Sequence, residues 1–338
     1  MNTNSNWKPY ILVSLTVLVI VTAVALATRL WVLTAIPIGF LFGFFLQKGD
    51  LCGSSSFSEV LLMKDWRKMW GLWVCIVVSM VGFAMLALLG WITLNPKPLI
   101  WLNVIVGGIV FGVGLVLAGG CVSGCLYKTG SGNINSMAGL VGIPLGIAMV
   151  EHGPLHGLHT KMKTFMVQAG DGGSVTLSSI TGLPYWLLAI VFGVVTLLIA
   201  LAVKNRRNVA SEGWSWEQAL TRSWKPWQAG LAIGLLAMPA YLSSAATGRN
   251  YPLGVTHGVL HAQLLVTDTN LNHVWQKQTP SNQSPAATTP ATPPKKKVRW
   301  WLVLLVTSLV AGSWVSGRLS GEARLLRKPP EQTVVAFF

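Results

Sequence analysis

Charge is what this sequence has least of. Only 10% of its 338 residues are Asp, Glu, Lys or Arg, where a soluble domain carries roughly 25%; an ordinary water-soluble globule is excluded. Acids are the scarcer sign, 10 against 25 Lys and Arg, which leaves a formal net charge of +15. That excess does not read as a nucleic-acid surface, because no aromatic-and-basic interleaving accompanies it. The basic residues instead collect beside apolar segments, as the positive-inside rule expects. Cysteine is scarce as well. Cys52, Cys75, Cys121 and Cys125 are too few to staple a chain of this length with disulfides, so each is judged by its position. Nucleotide signatures are missing too. "GCLYKTGSG" lacks the Gly-Lys-Ser/Thr ending of a P-loop, and "FGVGLVLAGG" lies in an apolar run without strand–helix alternation. Neither ATP-driven work nor a cofactor is expected.

What is present is apolar length. Hydrophobic residues make up 52% of the chain, and the mean hydropathy is +0.57. Runs long enough to span a bilayer are Tyr10–Ala27, Trp70–Leu94, Leu99–Leu117, Tyr185–Val203 and Trp300–Val315. Trp31–Leu46, Met137–Val150 and Trp227–Ala245 are shorter or broken by glycine and suit half-helices, tilted helices or re-entrant elements. The expected fold is therefore an all-α integral membrane protein of about six to nine membrane elements, some of them broken. The first run exceeds a signal-peptide core and has no basic flank beyond Lys8, so it reads as a membrane helix. Tryptophans at run edges (Trp31, Trp70, Trp101, Trp300) fit an interfacial belt. Lys64, Arg67 and Lys68 form one basic loop; Lys204, Arg206, Arg207, Arg222 and Lys225 form another, and both point to the cytoplasm.

Three units are expected in the chain. Residues 1–266 make a polytopic membrane domain, and 267–298 a disordered Pro/Thr-rich linker. Residues 299–338 make a final transmembrane helix with a tail that reads as truncated, because it ends on apolar Val334–Phe338.

An internal repeat supplies the first functional signal. Phe42, Gly43, Leu46, Cys52 and Ser54 match Phe111, Gly112, Leu115, Cys121 and Ser123 at one constant offset. Five ungapped matches, one of them a rare cysteine, exceed what apolar composition supplies. Repeats in membrane proteins usually build a transport pathway at their interface. Each repeat ends its apolar helix in glycines and a cysteine. Irregular backbone at membrane depth survives only where protein or a watery cavity satisfies its polar groups. Gly49 to Ser56 and Gly119 to Gly124 are thus expected to line a cavity. A helix beginning just past such a break would aim its N-terminus at that cavity and draw anions. Lys48 and Lys128, beside the breaks, add positive charge. The pathway set expected from this reading is Cys52, Cys121, Cys125, Gly49, Gly53, Gly119, Gly120, Gly124, Lys48 and Lys128. Thiols at the two equivalent positions favour a soft, sulfur-containing anion over phosphate or sulfate.

"FGFFLQKGDLCGSS" and "FGVGLVLAGGCVSGCLYKTGSG" resemble the cysteine repeats of the YeeE/YedE family of sulfur transporters, and weaker likeness extends over most of the chain. The resemblance implies a bundle of full and broken helices with pseudo-twofold symmetry. It implies thiosulfate as cargo, passed inward by S–H to sulfur hydrogen bonds with Cys52 and Cys121 as relay thiols. It places the protein in the bacterial inner membrane and leaves room for a cytoplasmic sulfur-carrier protein as acceptor. The family carries a further glycine–cysteine break in its C-terminal half, whereas no cysteine follows Cys125 in this sequence. Three rival readings stand beside the permease. A selenium-species permease differs only in cargo. A thiol oxidoreductase would use Cys121 and Cys125 as a redox pair. A non-transporting accessory protein or truncated paralogue would suit the missing cysteine.

The remaining features carry less. Cys75 lies inside "GLWVCIVVSM" and reads as a small buried hydrophobe. Glu151, His152, His156 and His159 have metal-like spacing, but Gly153, Pro154 and Gly157 break the helix that would align them. That segment is expected to be a solvated loop.

Overall fold

The computed structural model describes residues 7–151, 153–167, 174–206, 220–269, 271–275, 296–325 and 329–337. Its helices are α1 (Trp7–Thr28), α2 (Ala35–Gly49), α3 (Gly53–Met63), α4 (Arg67–Leu88), α5 (Trp101–Ala118), α6 (Val122–Gly130) and α7 (Ile134–Glu151). There follow α8 (His156–Lys163), α9 (Leu177–Thr181), α10 (Tyr185–Arg206), α11 (Pro226–Ala246) and α12 (Val255–Thr267). After a short parallel strand pair, β1 (Leu271–Val274) and β2 (Lys296–Arg299), come α13 (Trp300–Ser320) and α14 (Pro330–Phe337). Eight helical segments among the described residues are long and apolar enough to cross a membrane. The chain is an all-α multi-pass membrane protein.

The core forms where small residues let helices approach. α2 and α13 run side by side in the same direction. A Cβ on Gly39 would strike the Leu305 carbonyl, one on Gly43 the Leu309 carbonyl, and one on Gly312 the Phe40 carbonyl. Without a hydrophobic driving force between helices in lipid, such backbone-to-backbone contact is what holds a membrane bundle together. Ser308 and Ser316 donate their hydroxyls across the same seam to the carbonyls of Ala35 and Phe44. α4 and α11 pair likewise, with Gly71 against Pro226 and Gly230 against Gly71. α11 crosses α2 in the opposite sense: Gly49 meets Ala229 at one end, and Thr34 meets Ser243 at the other. The inner position of these elements shows in burial, which is 67% for the α13 span and 50% for α11, against 6% for α1 and α10. α1, α5 and α10 present leucine, isoleucine and valine outward, as lipid-facing helices do.

Of the segments read as half-helices, tilted helices or re-entrant elements, two are continuous helices of spanning length. Residues of the Met137–Val150 run belong to the 18-residue α7, and those of Trp227–Ala245 to the 21-residue α11. Their glycines and prolines serve packing rather than termination: Pro144 and Pro239 sit inside the helices, and Gly230 and Gly234 receive α4. The run starting at Trp31 opens with a 3-10 turn, Trp31–Thr34, before the 15-residue α2. His156 begins a short helix, α8, rather than an open loop. Of the basic loop residues, Arg207 lies outside the described residues, as do the side chains of Lys204 and Arg206. Within 267–298, Thr267 ends α12, β1 and β2 pair in register, and residues 276–295 lie outside the described residues.

Candidate functional site

The two repeats break their helices with the same backbone pattern. α2 ends at Asp50 in the left-handed conformation (φ 43°), and α5 ends at Gly119 in the same conformation (φ 69°). In each, the next amide reaches back over the helix end: Leu51 N donates to Leu46 O at 3.2 Å and Gly120 N to Leu115 O at 3.1 Å. This is the Schellman closure that stops a helix while satisfying its last carbonyls. One residue later come Cys52 and Cys121, both extended, and each is the N-cap of a new short helix, α3 or α6. Ser56 N bonds Cys52 O at 2.9 Å, and Cys125 N bonds Cys121 O at 2.7 Å, which completes the correspondence.

The two breaks meet. Cys52 Sγ and Cys121 Sγ lie 3.3 Å apart with no disulfide between them, and Cys121 Sγ also lies 3.2 Å from Ser123 Oγ. Neither cap residue supplies a side-chain acceptor to its helix. The amides that open α3 and α6 therefore converge on the thiol pair without side-chain caps, an arrangement that favours an anion. α3 and α6 both lead away toward the end where α2 and α13 finish. Glu59 of α3 pairs there with Lys68 of α4 at 2.6 Å, and Gly130 of α6 abuts Ser313 of α13.

The expected glycines hold distinct places. A Cβ on Gly124 would lie 2.5 Å from Cys52 Sγ, so its bare backbone is what admits the facing thiol. Gly119 supplies the left-handed cap, and Gly120 follows it with Gly124 backbone beyond. Gly49 packs on Ala229, and Gly53 opens α3 facing free space. Cys125, fully buried, turns from the pair toward the carbonyls of Gly120 and Ala118. Cys75 packs in α4 against α11.

The two lysines are engaged differently, Lys128 at the break itself and Lys48 away from it. Lys128 Nζ donates to Gly119 O at 2.7 Å and so caps the end of α5. Lys48, 1% exposed, donates to Leu220 O at 2.6 Å and to Ser320 Oγ at 2.7 Å. It lines a polar cavity of about 420 Å³ with Gln47, Asp50, Lys68, Trp224 and Glu322.

Two residues escaped the sequence reading. Asp50 occupies the position equivalent to Gly119 and accepts the buried hydroxyl of Tyr127 at 2.6 Å, which ties the first repeat to α6 of the second. Its carboxylate also pairs with Lys68. An aspartate tolerates the left-handed cap, and the repeat alignment itself flags the position. Among the described residues no cluster of three metal-ligating side chains occurs; His152 lies outside them.

A family model described as sulphur transport matches residues 48–338. The thiosulfate transporter TsuA of Spirochaeta thermophila is 31% identical over 256 residues, covering 72% of this chain and 72% of its own length. TsuA of Escherichia coli is 25% identical over 310 residues, 90% of this chain and 79% of that protein. The probable transporter YedE of Escherichia coli aligns over 96 residues at 29% identity, 28% of this chain and 23% of its own. With two glycine-stopped helices that deliver matched thiols to one point, and a family model spanning most of its length, the chain belongs to the sulphur transport family, in the YeeE/YedE group of membrane transporters rather than among enzymes.

Proposed function

We propose that this protein is a permease of the bacterial inner membrane that moves thiosulfate, or a closely related sulfur anion, past the Cys52–Cys121 pair. The observation that carries this reading is the pair itself: two repeat-related thiols, 3.3 Å apart, at two converging helix N-termini. The helix ends offer N–H groups and positive dipole to the sulfonate oxygens. The polarizable thiols offer S–H contacts to the terminal sulfur. Sulfate has oxygens alone to offer, which is the physical basis of selection. Relatives named as thiosulfate transporters support that cargo.

We assign the end where α4 and α11 begin and α13 ends to the cytoplasm on the loop residues Arg67, Lys68, Arg222 and Lys225. Around α13 itself basic residues flank both ends, Lys296, Lys297 and Arg299 before it and Arg318 at its close. The cavity beside Lys48 opens on the same side and suits hand-over to a cytoplasmic sulfur-carrier protein. The redox rival built on Cys121 and Cys125 has less support, because Cys125 turns to backbone carbonyls while Cys121 faces Cys52.

The test is growth on thiosulfate of a sulfur-requiring bacterium without its own uptake system, complemented by this chain, Cys52→Ala or Cys121→Ala. Growth with the parent, reduced at least about tenfold in rate of uptake by either substitution, a loss of the size expected for charge-assisted contacts, is the outcome expected. Equal uptake by parent and both variants at matched membrane levels would overturn the thiol route. No uptake by the parent would overturn the permease.

A further inference from the structure

A glycine-closed turn also lies between α11 and α12, where the next helix starts seven residues after the left-handed residue rather than three. Gly248 is left-handed (φ 81°), and Arg249 N reaches back to Ser244 O at 3.0 Å, the same closure made by Leu51 and Gly120. A helix too short to span follows, the 13-residue α12. Its direction is reversed relative to α3 and α6. Gly258 near its start abuts Leu302 and Val306 of α13, while Leu264 near its end clusters with Val298 and Val303. α12 therefore leads out to the end opposite the Lys48 cavity. No cysteine is present here. The residue that follows the left-handed turn is Arg249.

Basic groups gather around it. The Arg249 guanidinium lies 5.5 Å over the ring of Trp301, which is 2% exposed and held by Ser243. One of its nitrogens donates to Pro252 O at 3.0 Å, and a Cβ on Gly254 would land on the other, so the loop is shaped around the charge. Two residues before Trp301 stands Arg299, whose amide donates to His261 Nδ1 at 2.9 Å. His257 lies one turn earlier on α12. Among the described residues no carboxylate pairs with Arg249 or Arg299; the nearby acid Asp268 is taken by Lys296 at 2.9 Å. Burial, then the neighbouring His257, Arg299 and Arg249, push His261 down to about 4, so its imidazole is neutral at physiological pH. With Nδ1 accepting, the remaining ring nitrogen is a donor. The charged side chains here are all donors, and the acceptors beside them, Pro252 O, Ser244 Oγ and His261 Nδ1, are already engaged. Like charges held together without an acid, half out of water, are stabilised by a bound anion.

We propose that the α11–α12 break is an anion-binding station at the mouth opposite the cytoplasmic cavity, in which Arg249, Arg299 and the two histidines hold a doubly charged oxyanion of the thiosulfate and sulfate class. It deepens the permease reading and rests on it only for the identity of the cargo. The station reads charge and the thiol pair reads sulfur. Sulfate therefore competes for this station without being carried onward. Asn250, in the same break, donates to Thr93 O at 2.8 Å in the segment that leads into α5, the helix that ends at the second thiol.

The experiment measures binding of radiolabelled thiosulfate and radiolabelled sulfate to the full chain in detergent, alongside uptake in vesicles. The variants are Arg249→Lys, Arg299→Gln and the double Cys52→Ala/Cys121→Ala. Arg299→Gln keeps the backbone bond to His261, so it tests the station even where Arg249→Lys loosens the loop. Expected are a loss of about tenfold in affinity for both anions in each basic variant, the size of one charged hydrogen bond. The double cysteine variant is expected to bind sulfate like the parent while losing uptake. Unchanged affinity in both basic variants would overturn the station and leave the permease standing. Arginine-dependent binding with no uptake by the parent would leave the station standing and remove the permease.

Discussion

At the scale of the residue, the thiol site is built by what is missing as much as by what is present. Gly124 has no side chain, and that alone lets Cys52 come within contact of Cys121 across the two repeats. Gly124→Ala would put a methyl group 2.5 Å from Cys52 Sγ, and overpacking of that kind costs about 1–3 kcal/mol. The sulfur has to rotate away or the helices have to part. Uptake is expected to fall about tenfold or more, and bridging of the two cysteines by a short bifunctional thiol reagent is expected to fail. A Gly124→Ala protein that carries thiosulfate and cross-links like the parent would show that the close approach is dispensable. The cysteines themselves were legible from the sequence, because a repeat makes a rare residue conspicuous. The lysines were legible as positions and not as contacts. Proximity in sequence said nothing of where a flexible four-carbon chain ends, and Lys128 and Lys48 end on carbonyls.

At the scale of the element, apolar length and glycine spacing did most of the work. Runs such as Tyr185–Val203 and Leu99–Leu117 correspond to α10 and α5 within a few residues. Glycine was the ambiguous letter. In Gly119 it stops a helix, whereas in Gly39, Gly43, Gly230 and Gly234 it admits a neighbouring backbone, and composition alone does not separate the two uses. The α2–α13 seam gives the sharpest case. Gly43→Val would force a branched side chain onto the Leu309 carbonyl, in a contact that lipid cannot replace. Such a variant is expected to lose its compact fold, seen as aggregation on size-exclusion chromatography in detergent, while Gly107→Val on the open face of α5 behaves as the parent. Equal behaviour of the two would show that the seam is slack. α12 was the element least visible in sequence. Its 13 residues carry two histidines and a glycine, too short and too polar to register as a membrane helix.

At the scale of the whole molecule, the most buried span is made long after the helix it packs on. α13 starts roughly 265 residues after α2, yet it fills the groove into which α2 packs. At about 5–20 residues per second, synthesis separates the two by on the order of ten to fifty seconds. From the completion of α6 until α13 begins, roughly 170 residues later, both thiols are made and the glycine seam of α2 is uncovered. A nascent chain halted before Trp300 is thus expected to react with a membrane-permeant maleimide at Cys52 and Cys121, and a released full-length chain to react far more slowly. Equal labelling of the two would mean that the repeats close on their own. The late arrival of α13 makes the closing of this seam a checkpoint in biogenesis. A ribosome that stalls in the stretch before Trp300 leaves behind not a smaller transporter but a thiol-bearing intermediate for the cell's membrane proteases to recognise.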